Sequence, residues 1–344
     1  MEGNRAGDAK ATDADARHAA AAPGRSRTVK RHLVLVRTPE WQSAADFEAI
    51  ARHARDIDPA LEVFVVRSDL PNSYSRRKAA TRPTLVFSPG RLAGFRPLRG
   101  KIYQGRPIPK LEQLRRLKAA DVPVPRTVQL EPGLHLDPAE WGEFVVVKPT
   151  DLATSSHGSG IQLMRTERIR FRAPQDYPAG HPGRRAPMMV QRFINTGDRI
   201  SLYRVLTLFG EPLYANRYGS AKSTVNLGAS DEEIEASIVA SNGLSISESE
   251  FVQPDDILDL ARRAHRAIPE VPLKGCDIIR DAATGALFVL EVNPGGNTWH
   301  FSSRYLATER AERPREHEVM RVRQFDAFRA AARVLVRQAE LEAE

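Results

Sequence analysis

The sequence predicts an α/β (α+β) protein in three lobes, and three observations carry that expectation. Short apolar strands alternate with a helix over 32–90, the pattern of a parallel sheet covered by helices. Two later stretches, 144–164 and 201–218, read as strand pairs joined by a loop. A third pair, near 275–293, carries carboxylates inside otherwise aliphatic runs. At 344 residues the chain exceeds what one small core organises, which suits two or three lobes.

Composition excludes several classes. The 41% hydrophobic and 27% charged content is that of a water-soluble globular protein. The one cysteine, Cys276, cannot build a disulfide framework and fits a reducing compartment, so a cytoplasmic location is expected. No apolar run reaches the roughly 18 residues that would span a membrane. Residues 1–27 have scattered charges and no apolar signal core, and 1–30 reads as a disordered tail. The net charge of +8 is compatible with polyphosphate or acidic substrates. Its charges are spread without a basic stripe interleaved with aromatics, so sequence-specific nucleic-acid binding is not expected.

The elements follow in order. HLVLVR (32–37) reads as a buried strand, and 43–56 as a helix with Ala44, Phe47, Ile50 and Ala51 on one side. The strands LEVFVV (61–66) and TLVFSPG (84–90) complete a small parallel, Rossmann-like lobe. It lacks G-x-G-x-x-G after its first strand and is not read as a dinucleotide site. Within 108–130, Leu111, Leu114 and Leu117 recur at helical spacing until Pro123 and Pro125 end the helix, with Lys110 near its start. In FVVVKPTD (144–151), Lys148 alone closes a β-branched run, and a buried lysine needs an anionic partner such as a triphosphate. The following loop, 153–164, offers Ser155, Ser156 and Ser159 with Gly158 and Gly160. It suits a phosphate cradle or a plain hairpin loop equally.

The Pro/Gly-rich stretch 173–187 reads as unstructured, a flexible connection between subdomains. MMVQRFINTGDRI (188–200) is a strand and turn, and 201–218 a hairpin around Gly210-Glu211-Pro212 with Arg204 and Arg217 near its ends. Residues 229–256, acidic and serine-rich, read as an insertion or lid, or as a surface excursion. A helix over 257–267 turns Leu258, Leu260, Ala261 and Ala264 to the core. One charged C-terminal helix carries the apolar stripe Val322, Phe325, Phe328, Ala332 and Leu335.

The chemistry concentrates in LFVLEVNPGGNTWHF (287–301). Residues two apart on a strand share a face, so Glu291 and Asn293 present oxygens side by side before the chain breaks at Pro294-Gly295-Gly296. A turn at 281–285 folds the preceding strand back and brings Asp277 opposite Glu291. Carboxylates among aliphatics are costly unless paired or metal-bound, and this oxygen set suits Mg²⁺.

The arrangement Asp277…Glu291-Val292-Asn293-Pro294 resembles the magnesium site of the ATP-grasp superfamily, whose members mostly join a carboxylate to an amine or thiol with ATP. Over roughly 31–310 the other segments stand in family order. The resemblance implies ATP between two antiparallel sheets, after an N-terminal lobe (31–105) that helps to hold the acceptor. Its two halves would be 106–187 and 188–344. By the same resemblance Lys110 and Lys148 meet phosphates, and the loop with Ser159 and Gly160 covers them. Phe193 and Ile194 would bond the adenine edge through their backbone, Gln191 would accept from the adenine amino group, and Asp198 would hold the ribose. Asp277, Glu291 and Asn293 would bind Mg²⁺, with Mn²⁺ as the substitute ion, and Arg204 and Arg217 would offset charge at the transferred phosphoryl group. The implied reaction is ADP-forming ligation of a small-molecule or peptide carboxylate to an amine through an acylphosphate. A small-molecule kinase or a non-catalytic nucleotide-binding regulator is the alternative. An oligomer is compatible with the sequence, and neither a membrane nor a specific nucleic acid is expected as partner.

Overall fold

The run from Leu33 to Val36 is fully buried in the first strand, β1 (Arg31–Arg37), because helices cover both faces of a parallel sheet. The computed structural model describes residues 30–150, 160–220, 226–237, 246–303 and 315–344. The tail at 1–29 and the loop serines Ser155, Ser156 and Ser159 lie outside them. Helix α1 (Ala44–Ile57) follows, with the Ser43 hydroxyl accepting from the Asp46 amide at 3.1 Å as its cap. Then come β2 (Leu61–Arg67), α2 (Ser73–Ala79), β3 (Thr84–Ser88) and β4 (Lys101–Gln104). The four strands are parallel in the order β2-β1-β3-β4. Sequence reading missed α2, whose SYSRRKA has no apolar period, and β4, a half-buried edge strand.

The second lobe comprises α3 (Lys110–Ala119), β5 (Thr127–Gln129), α4 (Pro138–Trp141), β6 (Phe144–Pro149), β7 (Gln162–Arg165) and β8 (Met188–Arg192). Its antiparallel sheet has the order β5-β8-β6-β7. Strand β8, expected to open the third lobe, is thus a central strand of the second; the order of strands along the chain does not say which sheet each one joins. The stretch 173–187 is built, not unstructured. It forms two 3₁₀ turns, and Tyr177 is buried with Leu130, Val147 and Met188 while its ring stacks on His181 at 4.6 Å. One aromatic anchor outweighs the loop-like composition.

The third lobe contains β9 (Ser201–Leu208), β10 (Glu211–Ser220), α5 (Asp231–Ala236), β11 (Ile246–Phe251), α6 (Asp255–Arg266), β12 (Leu273–Arg280), β13 (Leu287–Asn293), α7 (Arg315–Arg323) and α8 (Ala327–Glu342). Its sheet is antiparallel in the order β11-β10-β9-β12-β13. Phe209 and Gly210 turn the β9–β10 hairpin with φ of +48° and +88°, the left-handed pair that matches strand twist. The acidic segment after β10 crosses to the second lobe, where Asp231 and Glu235 of α5 pair with Arg165 and Arg168. Ile234 is buried there against Phe144 and Leu163, and β11 then returns as an edge of the third sheet.

The expected single C-terminal helix is two helices, broken where Asp326 takes φ of +49°. Leu335 and Val336 of α8 pack with Leu33, Leu35, Phe47 and Leu85 of the first lobe and with Leu206 of the third. Residues 296–302 are tied to the same core. The Trp299 indole N–H donates to Asp46 at 2.7 Å, the Ser302 hydroxyl donates to it at 2.5 Å, and Gln42 donates to the Gly296 carbonyl at 2.9 Å. Asp46→Ala leaves that buried indole N–H without an acceptor, and urea unfolding should show a loss of about 1–3 kcal/mol. A change within experimental error would refute this tether.

Candidate active site

Directly opposed residues in an antiparallel sheet share a face, and the third sheet lines up one polar row. Asn216 of β10 opposes Arg204 of β9, Arg204 opposes Asp277 of β12, and Asp277 opposes Glu291 of β13. Asn293, two residues beyond Glu291, joins that face opposite Gly275. Cys276 points the other way into the aliphatic core beneath α6. The expected register of Asp277 and Glu291 is the observed one.

Each carboxylate in the row already holds a cation. Arg204 grips Asp277 with Nε and Nη2, both at 2.7 Å, and the Asn293 amide lies 3.2 Å from the same carboxylate. Lys110 Nζ is 2.9 Å from Glu291. Lys110 reaches it because Gln113, one helical turn on, accepts the Val292 N–H at 3.0 Å and pins α3 along the edge of β13. From the facing second sheet, Lys148 donates to Gln191 at 2.8 Å, and Gln191 donates to Thr127 at 2.9 Å.

The electrostatics follow from burial and crowding. Lys148 is 6% exposed; burial, aided by the Lys110 charge, lowers its ammonium to about 8 while Glu291 and Asp277 support it. Burial works against the Arg204 cation, yet Asp277 holds it well above its ordinary value. Burial also raises the Asp277 carboxyl, opposed by Arg204. Glu291 is only partly buried; burial raises its carboxyl too, but Lys110 and Lys148 keep it below the ordinary carboxylate range. Three cations (Lys110, Lys148 and Arg204) face two carboxylates, which leaves one surplus positive charge. Such a cluster is suited to an anionic ligand.

Seven of the residues singled out in the sequence therefore converge: Lys110, Lys148, Gln191, Arg204, Asp277, Glu291 and Asn293. Others do not. Arg217 opposes Tyr203, which puts it on the opposite face from Arg204, where it is half exposed near Glu250. A hairpin's ends fix no facing without the exact register. Gln191 spends its carbonyl oxygen on Lys148 instead of leaving it open. The Phe193 N–H donates to the Phe144 carbonyl at 3.2 Å, Ile194 is buried, and Asp198 is exposed in the turn before β9. Gly160 has φ of +71°, and a Cβ there would meet Pro182 at 2.9 Å. It lines a cavity of about 620 Å³ together with Val147, whose side chain leaves the sheet on the face away from Lys148. Ser159 lies outside the described residues. Sequence reading missed Gln113 and Asn216; only the i+3 spacing of Gln113 from Lys110 could have pointed to the first.

The donor set fits Mg²⁺ held jointly with a ligand. Among the described residues no three His, Cys, Asp or Glu side chains cluster closely enough to cage a metal. Two carboxylates and one amide leave further positions to waters and phosphate oxygens, which is how Mg²⁺ is usually bound.

The molecule is thus a mixed α/β protein of three sheets with a buried ionic cluster on the inner face of the third. No protein-family model matches the chain, and no curated protein matches it. Among solved structures it is similar to D-cycloserine synthetase DcsG, at 15% identity and a TM-score of 0.49 over 90% of this chain and 99% of that one. The ATP-grasp ligase PsnB, complexed with a phosphomimetic variant of its minimal precursor, Mg and ADP, gives 16% identity and a TM-score of 0.46 over 89% and 97%. D-alanine–D-alanine ligase from Bacillus anthracis complexed with ATP gives 10% and 0.43 over 91% and 98%. Likeness at this level decides neither activity nor substrate; those rest on the cluster.

Proposed function

We propose that the chain is an ATP-grasp-type, Mg²⁺-dependent ligase that joins a carboxylate to an amine and releases ADP and phosphate. One observation carries the reading: the buried cluster of Lys110, Lys148, Arg204, Asp277 and Glu291, with its one surplus positive charge. Lys148 and Lys110 would hold the phosphates as point charges, with Gln191 orienting Lys148. Asp277, Glu291 and Asn293 would hold Mg²⁺, which neutralises the transferred phosphoryl group when bound. Arg204, already set edge-on beside Asp277, would offset charge where the substrate carboxylate attacks. The backbone of Phe193 and Ile194 would meet adenine, Asp198 the ribose, and the loop with Ser159 and Gly160 the outer phosphates. Arg217 has no part in it, because it faces away.

Phosphoryl transfer asks for positioning and charge stabilisation more than for covalent work by side chains. No cysteine nucleophile is needed, and the buried Cys276, whose thiol burial pushes up, would be replaceable. The carboxylate attacks the γ-phosphorus, ADP leaves, and the acylphosphate is opened by the amine with loss of phosphate. The test is ADP release over small-molecule and peptide acids paired with amines, using ¹⁸O-labelled carboxylate. One label should appear in the released phosphate, and both partners should be required. ADP formation with one substrate and no label transfer would replace this reading with a kinase; ATP binding without substrate-dependent turnover would replace it with a regulator.

A further inference from the structure

Arg321 of α7 is 2% exposed, and only one of its guanidinium nitrogens is satisfied. Nη1 donates to the His300 carbonyl at 2.7 Å, whereas Nε and Nη2 have no hydrogen-bond partner among the described residues. A buried cation left this way is expensive, and buried donors are nearly always paired. The open edge is the informative one. In this chain Arg204 grips Asp277, Arg67 grips Asp69 and Arg115 grips Glu112, each through Nε and Nη2 together. That edge offers two parallel N–H groups and matches a carboxylate bidentately.

Its place is defined. The Arg321 guanidinium lies 5.6 Å from the Tyr214 ring centre and 5.9 Å from that of Phe251. Gln324, three residues on, fixes the end of α7 by bonding the Ala215 N–H and the carbonyls of Ala215 and Val252. Tyr214 and Phe251 flank Asn216 on one face, since Asn216 opposes Phe251 and lies two residues from Tyr214. The Asn216 amide donates to Ser249, while its carbonyl oxygen is buried without a partner. Asn216 stands two strand spacings from Asp277, about 10 Å. The pair therefore lies beside the ionic cluster and outside it.

We propose that Arg321 and Asn216 form a subsite for an α-amino-acid unit, with its carboxylate on the Nε/Nη2 edge of Arg321 and its N–H on the Asn216 carbonyl oxygen. The assignment of this unit to the amine partner rests on the ligase reading; binding itself does not. A free amino acid and the C-terminal residue of a peptide present the same chemistry.

The test is nitrogen-15 NMR of the arginine Nε–H groups in the full chain without ATP. The Arg321 signal is assigned by its loss in Arg321→Lys and, independently, by its contacts to the Tyr214 and Phe251 rings. The probes are the common amino acids, short peptides, and the C-terminal amides of both. At least one free carboxylate should shift that signal saturably, its amide should not, and Asn216→Leu should weaken the response roughly tenfold. A response to peptides alone would assign the peptide source, and a response to amino acids the free one. No shift with any free carboxylate, or equal shifts with the amides, would overturn the subsite while leaving ATP-dependent ligation untouched.

Discussion

Asp277→Asn should lower the stability of the nucleotide-free chain by about 3–5 kcal/mol, several times the loss expected from one hydrogen bond. The substitution preserves shape, so no cavity is made. What it removes is the charge opposite Arg204, whose side chain is 16% exposed and whose Nε and Nη2 both bond this carboxylate. Read from the hairpin alone, Asp277 is expected as a metal ligand; its bidentate pairing with Arg204 makes it a support of the sheet as well. Glu291→Gln should cost less, because the Glu291 side chain is 22% exposed and, among the described residues, pairs with Lys110 alone. Denaturant unfolding of both variants compares them directly, and a loss below about 1 kcal/mol in Asp277→Asn would contradict the pairing argument.

Lys148→Met should separate binding from stability. Losing a charge-assisted contact to phosphate should weaken ATP binding roughly 10- to 150-fold and leave adenosine binding unchanged. The fold should respond in the opposite direction. Burial lowers the Lys148 ammonium to about 8 from an ordinary value of 10.5. Below pH 8 the folded chain therefore carries the full cost of a buried charge; stability rises from about pH 8, where the folded chain releases the proton that the unfolded chain still holds, and levels off near 10.5, where the unfolded chain releases it too. Methionine removes that cost, about 3 kcal/mol at pH 7, against about 1 kcal/mol for the lost bond to Gln191. The variant should be more stable than the parent at neutral pH, with a shallower rise toward pH 10. Part of the rise persists, because burial also lowers Lys274, to about 7. Calorimetry with ATP and adenosine, and unfolding at pH 7 and 10, test both halves; a variant weaker for adenosine and less stable at pH 7 would assign Lys148 a purely structural role.

What the sequence disclosed follows from the range of the physics involved. The parallel strands β1 to β3 were legible because runs such as HLVLV permit no solvent-facing side. The opposition of Asp277 and Glu291 was legible because a short turn and a period of two fix register locally. Lys148 stood out as a lone charge closing an apolar run, whereas Lys110, which opens a helix rich in other charges, was pointed to only by the family resemblance. The grip of Arg204 on Asp277 was not legible, since it joins strands 73 residues apart. Nor was the sheet that β8 enters, or the place of Arg321, which stands between Met320 and Val322 in a segment of mixed charged and apolar residues. These depend on which surfaces meet, and local composition carries no record of that.

The seating of α8 on the first lobe bears on how the chain is made. Leu33, Leu35, Leu85 and Phe87 form part of one core with Ala331, Leu335 and Val336. During synthesis the strand ending at Ser88 must wait roughly 240 residues for the helix that begins at Ala327. At about 5–20 residues per second that is on the order of 12–50 seconds with a hydrophobic surface partly uncovered. The emerging N-terminal lobe is therefore where a holding chaperone would act, and its burial closes only when the last helix arrives.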